Sequence, residues 1–249
     1  MCGRFVLFTT SDALLEAAAD ITPYGELLAP HGTPTERYNI APTQKVVIVR
    51  PSTAEETTDP KGAAVLEPAR WGLFPYWKKD DSGPILFNAR AETVAEKPSF
   101  RDAFKKTRCI IPMDGYYEWH TQGKTKTPYF VHLPAATQGT GAQTAGGREY
   151  RPLMWAAGLY SHGLGQVSAT IITTASLEPI DWLHHRMPRF LAADEVEMWL
   201  EGDREEAQEL LEPTPEELRR TFVTTEVDTR VGNVRNDFPE LLAPVGRLL

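Results

Sequence analysis

Closely spaced β-strand patterns in the middle of the chain constrain its fold more than any other feature. Four segments rich in apolar, β-branched and aromatic residues follow one another, and similar patterns occur before and after them. Several short amphipathic stretches between the strand patterns predict helices. The mixture predicts an α+β fold dominated by antiparallel strands. The predicted strands are 3–8, 45–50, 63–66, 109–112, 116–121, 129–133, 153–160 and 166–174; the predicted helices are 11–18, 98–104, 194–200 and 204–211.

Chain length and composition are compatible with one domain. The 249 residues are 41% hydrophobic, which is enough for one large domain or two small ones with a real core. Since the chain has no internal repeat, we predict a single domain over 1–249. The segment 135–150 is rich in Ala, Thr, Gly and Gln and is predicted to be a flexible loop insertion.

Cysteine usage and hydropathy bear on the compartment. Two cysteines, Cys2 and Cys109, cannot form a disulfide framework, so a reducing compartment is expected. Arg4 and the polar run at 9–12 interrupt any early apolar stretch, and no segment approaches the ~18 apolar residues needed to span a bilayer. A soluble intracellular protein without a membrane partner is predicted. Cys109 lies in an apolar strand pattern and is expected to be an inert core thiol.

The formal net charge of −8 limits nucleic-acid binding. A generally acidic surface repels the phosphate backbone, which excludes a general duplex coat protein. One local basic groove is still compatible with this total. Weak or site-selective DNA binding therefore remains open.

Cys2 offers unusual chemistry if Met1 is removed. Cys2 would then carry a thiol and a free α-amine, and ordinary pKa values of ~8.5 and ~7.7–8.0 leave both groups partly deprotonated near neutral pH. Such a 1,2-aminothiol can condense with an aldehyde to an imine and close through sulfur to a thiazolidine, which an internal cysteine cannot do. The alternative is an ordinary cysteine that happens to fall at position 2.

Three further polar residues stand in apolar or turn-rich surroundings. Glu118, between Tyr117 and Trp119, either faces solvent or lies in an aromatic site where desolvation would suit it to proton transfer. His184 titrates in the range where imidazole exchanges protons, although a satisfied turn histidine is equally compatible with the pattern. Asn88 on its own is more typical of a turn than of a catalytic donor.

An ordered series of motifs spans nearly the whole chain, from Cys2 to about residue 242, and resembles a known family. It is similar to the SOS response-associated peptidase (SRAP) family, the abasic-site processing proteins that crosslink to single-stranded DNA. The resemblance implies a single SRAP-type domain with partly open, barrel-like sheets. The motifs are CGRF at 2–5, YNIAPT at 38–43, WGL at 71–73, NARAET at 88–93, RCIIP at 108–112, DGYYEW at 114–119, TTA at 173–175, HHRMP at 184–188 and VRND at 234–237.

The resemblance implies specific catalytic roles. Cys2 would attack the C1′ aldehyde of a ring-opened abasic site through its amine and close the thiazolidine through its thiol. Asn88 would hold the sugar or the amine by hydrogen bonds. Glu118 would move protons during ring opening and closure, and His184 would assist formation and reversal of the imine. The same imine permits β-elimination, so some lyase activity is expected, and removal of the residue before Cys2 accounts for the peptidase name.

The expected partner is single-stranded DNA containing abasic sites, bound by a monomer without metal or cofactor. Arg4, Asn39, Trp71, Arg90 and Arg186 are the DNA-binding residues that the resemblance implies: guanidinium forks suit phosphates, and aromatic stacking on bases is sequence-tolerant. The expected location is the nucleoid region of the cytoplasm in a bacterium and the nucleus in a eukaryote.

Other functions stay open from the sequence. N-terminal-nucleophile glutamine amidotransferases also begin Met-Cys-Gly, but no second domain or further glutaminase motif is visible. A non-covalent single-strand binding module, indifferent to Cys2, is the other alternative. A metal site lacks the usual short ligand spacing, and the glycines at 163 and 165 lack the Lys-Ser/Thr of a phosphate-binding loop. Arg189 and Gly232 depart from the family pattern without touching the four catalytic positions.

Overall fold

The computed structural model describes residues 2–24, 26–135 and 151–246. The insertion predicted at 135–150 lies outside the described residues, apart from residue 135. The strands are β1 (Phe5–Leu7), β2 (Leu27–Leu28), β3 (Arg37–Ile40), β4 (Lys45–Pro51), β5 (Ala64–Trp71), β6 (Asn88–Arg90), β7 (Arg108–Met113), β8 (Gly115–Gln122), β9 (Thr125–His132), β10 (Met154–Gly163), β11 (Gln166–Ala175), β12 (Arg186–Pro188) and β13 (Val223–Glu226). The helices are α1 (Ser11–Ile21), α2 (Ala91–Val94), α3 (Arg101–Lys106), α4 (Val196–Glu201), α5 (Arg204–Glu209) and α6 (Glu216–Arg219).

Five strands close into a barrel in the order β11, β10, β7, β4, β5 and back to β11. Neighbouring strands are antiparallel except at the closure, where β5 and β11 run parallel. β7 is buried along its whole length, which explains why its sequence is a continuous apolar run rather than an alternating one.

A second, open sheet lies against the barrel, in the order β13, β9, β8, β1, β3. Alternate residues of β1 point to opposite faces: Phe5 and Leu7 join the large core shared with the barrel, and Val6 joins a smaller cluster. That smaller cluster includes Val231 and Leu241, so the C-terminal segment covers the outer face of the sheet. The open sheet is thus enclosed on both sides.

β11 organises the junction between the two sheets. Besides its barrel neighbours it pairs in parallel with β6, with Ile171 opposite Asn88, and antiparallel with β12, with Thr173 opposite Pro188. Both partners are only three residues long, and both carry conspicuous polar motifs of the sequence. The fold therefore brings the motifs at 88–93 and 184–188 to one strand.

The α+β class with barrel-like antiparallel sheets is confirmed. All eight predicted strands are present, some a few residues longer or shorter. The proline-bearing stretch before residue 43 predicts a loop, which is wrong at β2 and β3. β6, β12 and β13 were not predicted, because strands of three or four residues carry too little pattern. The sequence predicts Ser11 as the cap of the first helix, whereas Ser11 is the first residue of α1. No helix within the described residues is long and apolar enough to cross a bilayer.

Candidate active site

Cys2 and Asn88 join the two sheets through a hydrogen bond. Cys2 is fully buried just before β1, and Asn88 is the first residue of β6. The Asn88 Nδ2 group donates to the Cys2 carbonyl oxygen at 2.8 Å. The other end of the amide, Oδ1, is buried and receives no hydrogen bond within the described residues. Asn88 therefore fixes the backbone of Cys2 and keeps one buried acceptor available.

Glu118 lies on β8, beside the segment that carries Cys2. β1 and β8 are antiparallel, with Phe5 opposite Tyr116, and Tyr117 N–H donates to the Arg4 carbonyl at 2.9 Å. Continuing this register places residue 3 opposite Glu118, whose side chain is only 5% exposed. Glu118 is thus buried rather than solvent-facing, with Tyr129 of β9 directly opposite it.

Burial and charge keep the Cys2 thiol protonated. Burial raises the pKa of the Cys2 thiol far above its ordinary value, and the negative charge of Glu118 raises that pKa further. The thiol is therefore a poor source of thiolate in this environment. An amine, which needs no negative charge to act as a nucleophile, is less hindered by the nearby carboxylate.

His184 lies two residues before β12, close enough to Glu118 for the charge of that carboxylate to affect its pKa. His184 Nδ1 lies 2.9 Å from the backbone nitrogen of Arg186 and 3.2 Å from its carbonyl oxygen, so the Arg186 backbone anchors the ring through Nδ1 in either tautomer. Burial lowers the pKa of His184, and the charge of Glu118 only partly opposes that shift. The half-buried ring also stacks on His185, with 4.2 Å between ring centroids. His184 is thus a neutral proton donor and acceptor at pH 7.

The predicted phosphate-binding arginines differ in accessibility. Arg90 is exposed at the end of β6. Arg4 is partly buried, and its guanidinium donates to the carbonyl oxygen of Val231 at 2.9 Å. Arg186 is buried in an ion pair with Glu92, and its guanidinium also donates to a backbone carbonyl of β11. Arg90 is the one of these three whose position fits a free phosphate contact.

Asn39 and Trp71 have no exposed surface, so the direct DNA contacts implied for them find no support in their positions. Asn39 Nδ2 donates to three backbone carbonyls of the C-terminal segment, at residues 231, 233 and 236. Trp71 packs edge-on against Phe5 and Phe87 and donates from Nε1 to the Phe87 carbonyl at 2.9 Å. Both side chains bind to other parts of the protein and are buried there.

Three further residues at or near the site, Tyr116, Glu92 and Asp237, were not predicted from the sequence. Tyr116 is fully buried, and the charge of Glu118 adds to the effect of burial in raising its pKa. Glu92 holds Arg186, and Asp237 accepts hydrogen bonds from the backbone of β3. All three belong to recognised motifs, but a motif does not say which of its members pack and which react.

The described residues contain no group of three His, Cys, Asp or Glu side chains placed to hold a metal ion. Cys2, Asn88, Glu118 and His184, predicted as one constellation, do come together at the junction of the open sheet with β6 and β12. The arrangement combines a buried thiol, a buried carboxylate, a neutral imidazole and an amide.

Comparison with known proteins identifies the family. Residues 1–234 match the family described as SOS response-associated peptidase (SRAP). The chain belongs to this family, as its motifs predicted.

Named relatives and a solved structure agree in extent and fold. The Bacillus subtilis protein called abasic site processing protein YoqW is 33% identical over 252 residues, covering 97% of this chain and 99% of the relative. The Gallus gallus protein called abasic site processing protein HMCES is 31% identical over 267 residues, covering 98% of this chain and 78% of the relative. A crystal structure of a Bacteroides thetaiotaomicron protein superimposes with a TM-score of 0.71 at 23% identity, covering 98% of this chain and all of the other, and shows the same fold.

Proposed function

We propose that this protein processes abasic sites by capturing them covalently through Cys2. The observation that carries the proposal is the hydrogen bond from Asn88 to the Cys2 carbonyl, which holds the reactive residue beside Glu118 and His184. The names of the relatives support abasic DNA as the substrate. Removal of Met1 is required, because only then does Cys2 carry a free α-amine.

The reaction proceeds in two bond-forming steps. The Cys2 amine attacks C1′ of the ring-opened deoxyribose and forms a carbinolamine, which loses water to give an imine. The thiol then adds across the C=N bond: sulfur bonds to C1′ and its proton goes to nitrogen. The product is a thiazolidine, and the net change is the loss of one water.

The raised pKa of the thiol fits this order of steps. A protonated thiol does not compete with the amine for the aldehyde, and it brings the proton that nitrogen needs at ring closure. This differs from thiolate-first chemistry, in which a low thiol pKa is the usual requirement. We therefore propose the amine as the first nucleophile.

Asn88 supplies a hydrogen-bond acceptor, and Glu118 and His184 transfer protons. The free Oδ1 of Asn88 can accept from the new amine or from a sugar hydroxyl. Glu118 takes and returns protons at the amine and at the sugar oxygen of the ring-opening step. His184 donates a proton to the departing hydroxyl of the carbinolamine.

Two side activities follow from the same chemistry. Hydrolysis of the bond between Met1 and Cys2 at this site would generate the aminothiol, in keeping with the peptidase name of the family. The imine can also lose the 3′ phosphate by β-elimination before the thiol closes. Rapid ring closure in the buried site favours the crosslink over strand cleavage.

The substrate we propose is single-stranded DNA, since the sugar must turn its C1′ atom into a buried junction. Arg90, exposed beside Asn88, is the proposed phosphate contact, with Arg4 holding the C-terminal segment that borders the site. No metal or cofactor takes part in any step.

Intact-mass spectrometry with a single-stranded oligonucleotide carrying one abasic site tests the proposal. We expect a heat-stable adduct whose mass equals protein without Met1 plus DNA minus one water. Cys2→Ala should lose this adduct yet still give a borohydride-trapped imine, because its amine remains. Cys109→Ala, which removes the other buried thiol, is the matched control and should crosslink normally.

A protein confirmed to begin at Cys2 that forms no adduct would contradict the proposal. Release of ammonia from glutamine would then point to the amidotransferase alternative. Reversible, salt-sensitive binding that is unchanged in Cys2→Ala would point to a simple binding module.

A further inference from the structure

An exposed tryptophan borders the candidate active site. Trp182 lies in the turn before His184, two residues away along the chain, and its side chain is 44% exposed. Scattered exposed apolar side chains are common on protein surfaces and by themselves indicate nothing. Trp182 differs because it is held in a fixed position by residues of β8 and β9.

Three contacts hold Trp182. His120 Nδ1 makes a hydrogen bond with the Trp182 carbonyl oxygen at 2.8 Å, and the two rings lie 5.2 Å apart between centroids. Tyr129 packs against the indole at an interplanar angle of 89°, with 5.0 Å between centroids. These contacts fix the orientation of the indole without covering it.

The residues that hold Trp182 share a sheet face with Glu118. Tyr129 of β9 is directly opposite Glu118 of β8, and residues paired across antiparallel strands project to the same side. His120 is two residues after Glu118 and also projects to that side. The indole therefore stands at the edge of the site, between the carboxylate-bearing sheet and the His184 turn.

We propose that Trp182 is a stacking platform for the nucleobase next to the abasic sugar. This inference rests on the proposed function, because the abasic sugar defines which base is adjacent. Once that sugar enters the site, its neighbouring nucleotide is carried to the rim, where an aromatic face is already in place. Stacking does not depend on base identity, which suits a protein that must accept any sequence around a lesion.

Stacking on Trp182 predicts how the affinity for DNA changes when the indole or the neighbouring base is removed. Base–aromatic stacking is lost on alanine substitution with an effect of roughly tenfold or more in affinity. Removal of the indole and removal of the neighbouring base should therefore have the same effect and should not add. A purely structural role for Trp182 would predict that the two effects add, since the protein change and the DNA change would then be independent.

The experiment uses DNA that cannot react. Affinities are measured by fluorescence anisotropy at fixed salt, with single-stranded oligonucleotides carrying tetrahydrofuran, an abasic analogue that lacks the C1′ aldehyde. In a second pair of oligonucleotides the nucleotide on one side or the other is also tetrahydrofuran, so its base is missing. The proteins are wild type, Trp182→Ala, Trp182→Phe and, as a control, Met198→Ala, an exposed apolar residue of α4 on the barrel.

We expect Trp182→Ala to bind the first oligonucleotide roughly tenfold more weakly than wild type, with most affinity retained by Trp182→Phe and all of it by Met198→Ala. Removing the base on one side should weaken wild type by a similar factor and leave Trp182→Ala unchanged. Equal affinity of Trp182→Ala and wild type, or additive effects on both sides, would overturn the inference.

Reaction with the natural abasic site separates this inference from the proposed function. At saturating DNA, Trp182→Ala should still form the heat-stable adduct. Absence of the adduct in wild type, with the base-dependent coupling intact, would refute covalent capture alone. Presence of the adduct without that coupling would refute the platform alone.

Discussion

Asn88 illustrates how one side chain can be read in two ways until its surroundings are known. An asparagine followed by Ala-Arg is ordinary in a turn, but here its amide nitrogen donates to the Cys2 carbonyl and its amide oxygen is buried. A buried acceptor without a donor within the described residues is costly, which is typical of a site that awaits a ligand.

Asn88 variants test its two functions separately. Asn88→Asp keeps the size but replaces the donor with a carboxylate oxygen facing the Cys2 carbonyl, so crosslink formation should slow at least tenfold. Asn88→Ala loses donor and acceptor together and should be at least as slow. The measurement is the single-turnover rate of adduct formation; an unchanged rate in Asn88→Asp would show that the hydrogen bond to Cys2 is irrelevant.

Glu118→Gln tests proton transfer with little change in shape. We expect adduct formation to slow by roughly a hundredfold, since proton transfer by a positioned side chain contributes about that much or more. Loss of the negative charge should also lower the pKa of the Cys2 thiol, because that charge helps to raise it. Thermal unfolding serves as the folding control, and unchanged formation and reversal rates would remove Glu118 from the mechanism.

At the scale of elements, two short strands, β6 and β12, position the side chains of the candidate site. β6 and β12 pair with opposite edges of the end of β11. β6 carries the proposed catalytic residue Asn88, and β12 follows the proposed catalytic residue His184 by two positions. The ion pair between Arg186 and Glu92 joins β12 to α2, the helix that directly follows β6. Because both strands pair with the long strand β11, three residues are enough to fix the position of each.

Asn39 is one of the buried polar residues that hold the C-terminal segment. Asn39→Ala would remove the donor to the Asn236 carbonyl, whereas the carbonyls of Val231 and Asn233 keep hydrogen bonds from Arg4 and from the Asn236 N–H. We expect a loss of about 2 kcal/mol in the free energy of unfolding. Asn39→Asp should be no better, because a carboxylate would face those same oxygens. Urea denaturation measures the loss, and limited proteolysis should cut near 229–246 first. Full stability in Asn39→Ala would contradict this role.

One buried carboxyl group makes a testable contribution to the pH dependence of the stability of the whole molecule. Asp114, between β7 and β8, is fully buried and accepts hydrogen bonds from the backbone N–H groups of Phe8 and Thr9 at 2.6 and 2.8 Å. Burial nevertheless raises the pKa of Asp114 to about 6. Because this exceeds the ordinary value of 3.8, the folded state binds the proton more tightly than the unfolded state does.

The stabilising effect of this proton is complete below about pH 4 and is lost as the pH rises through 6. The stability of wild type relative to Asp114→Asn should therefore decrease between pH 4 and pH 7, since asparagine does not titrate. Urea denaturation of both proteins at several pH values measures the difference. A pH-independent difference would show that Asp114 ionises normally.

Eight of the strands and the α+β class follow from the sequence, and so does the proposal of four catalytic positions, because apolar runs and dense motifs are local properties. The packing of Asn39, Trp71 and Arg186 does not follow from the sequence, since a residue of a given motif can contact DNA or can pack inside the protein. Only the tertiary structure decides this, through burial and through partners about 90 to 200 positions away, such as Glu92 for Arg186 and the 231–236 segment for Asn39. Local sequence encodes which elements form, whereas long-range pairing with β11 and β8 determines which side chains meet.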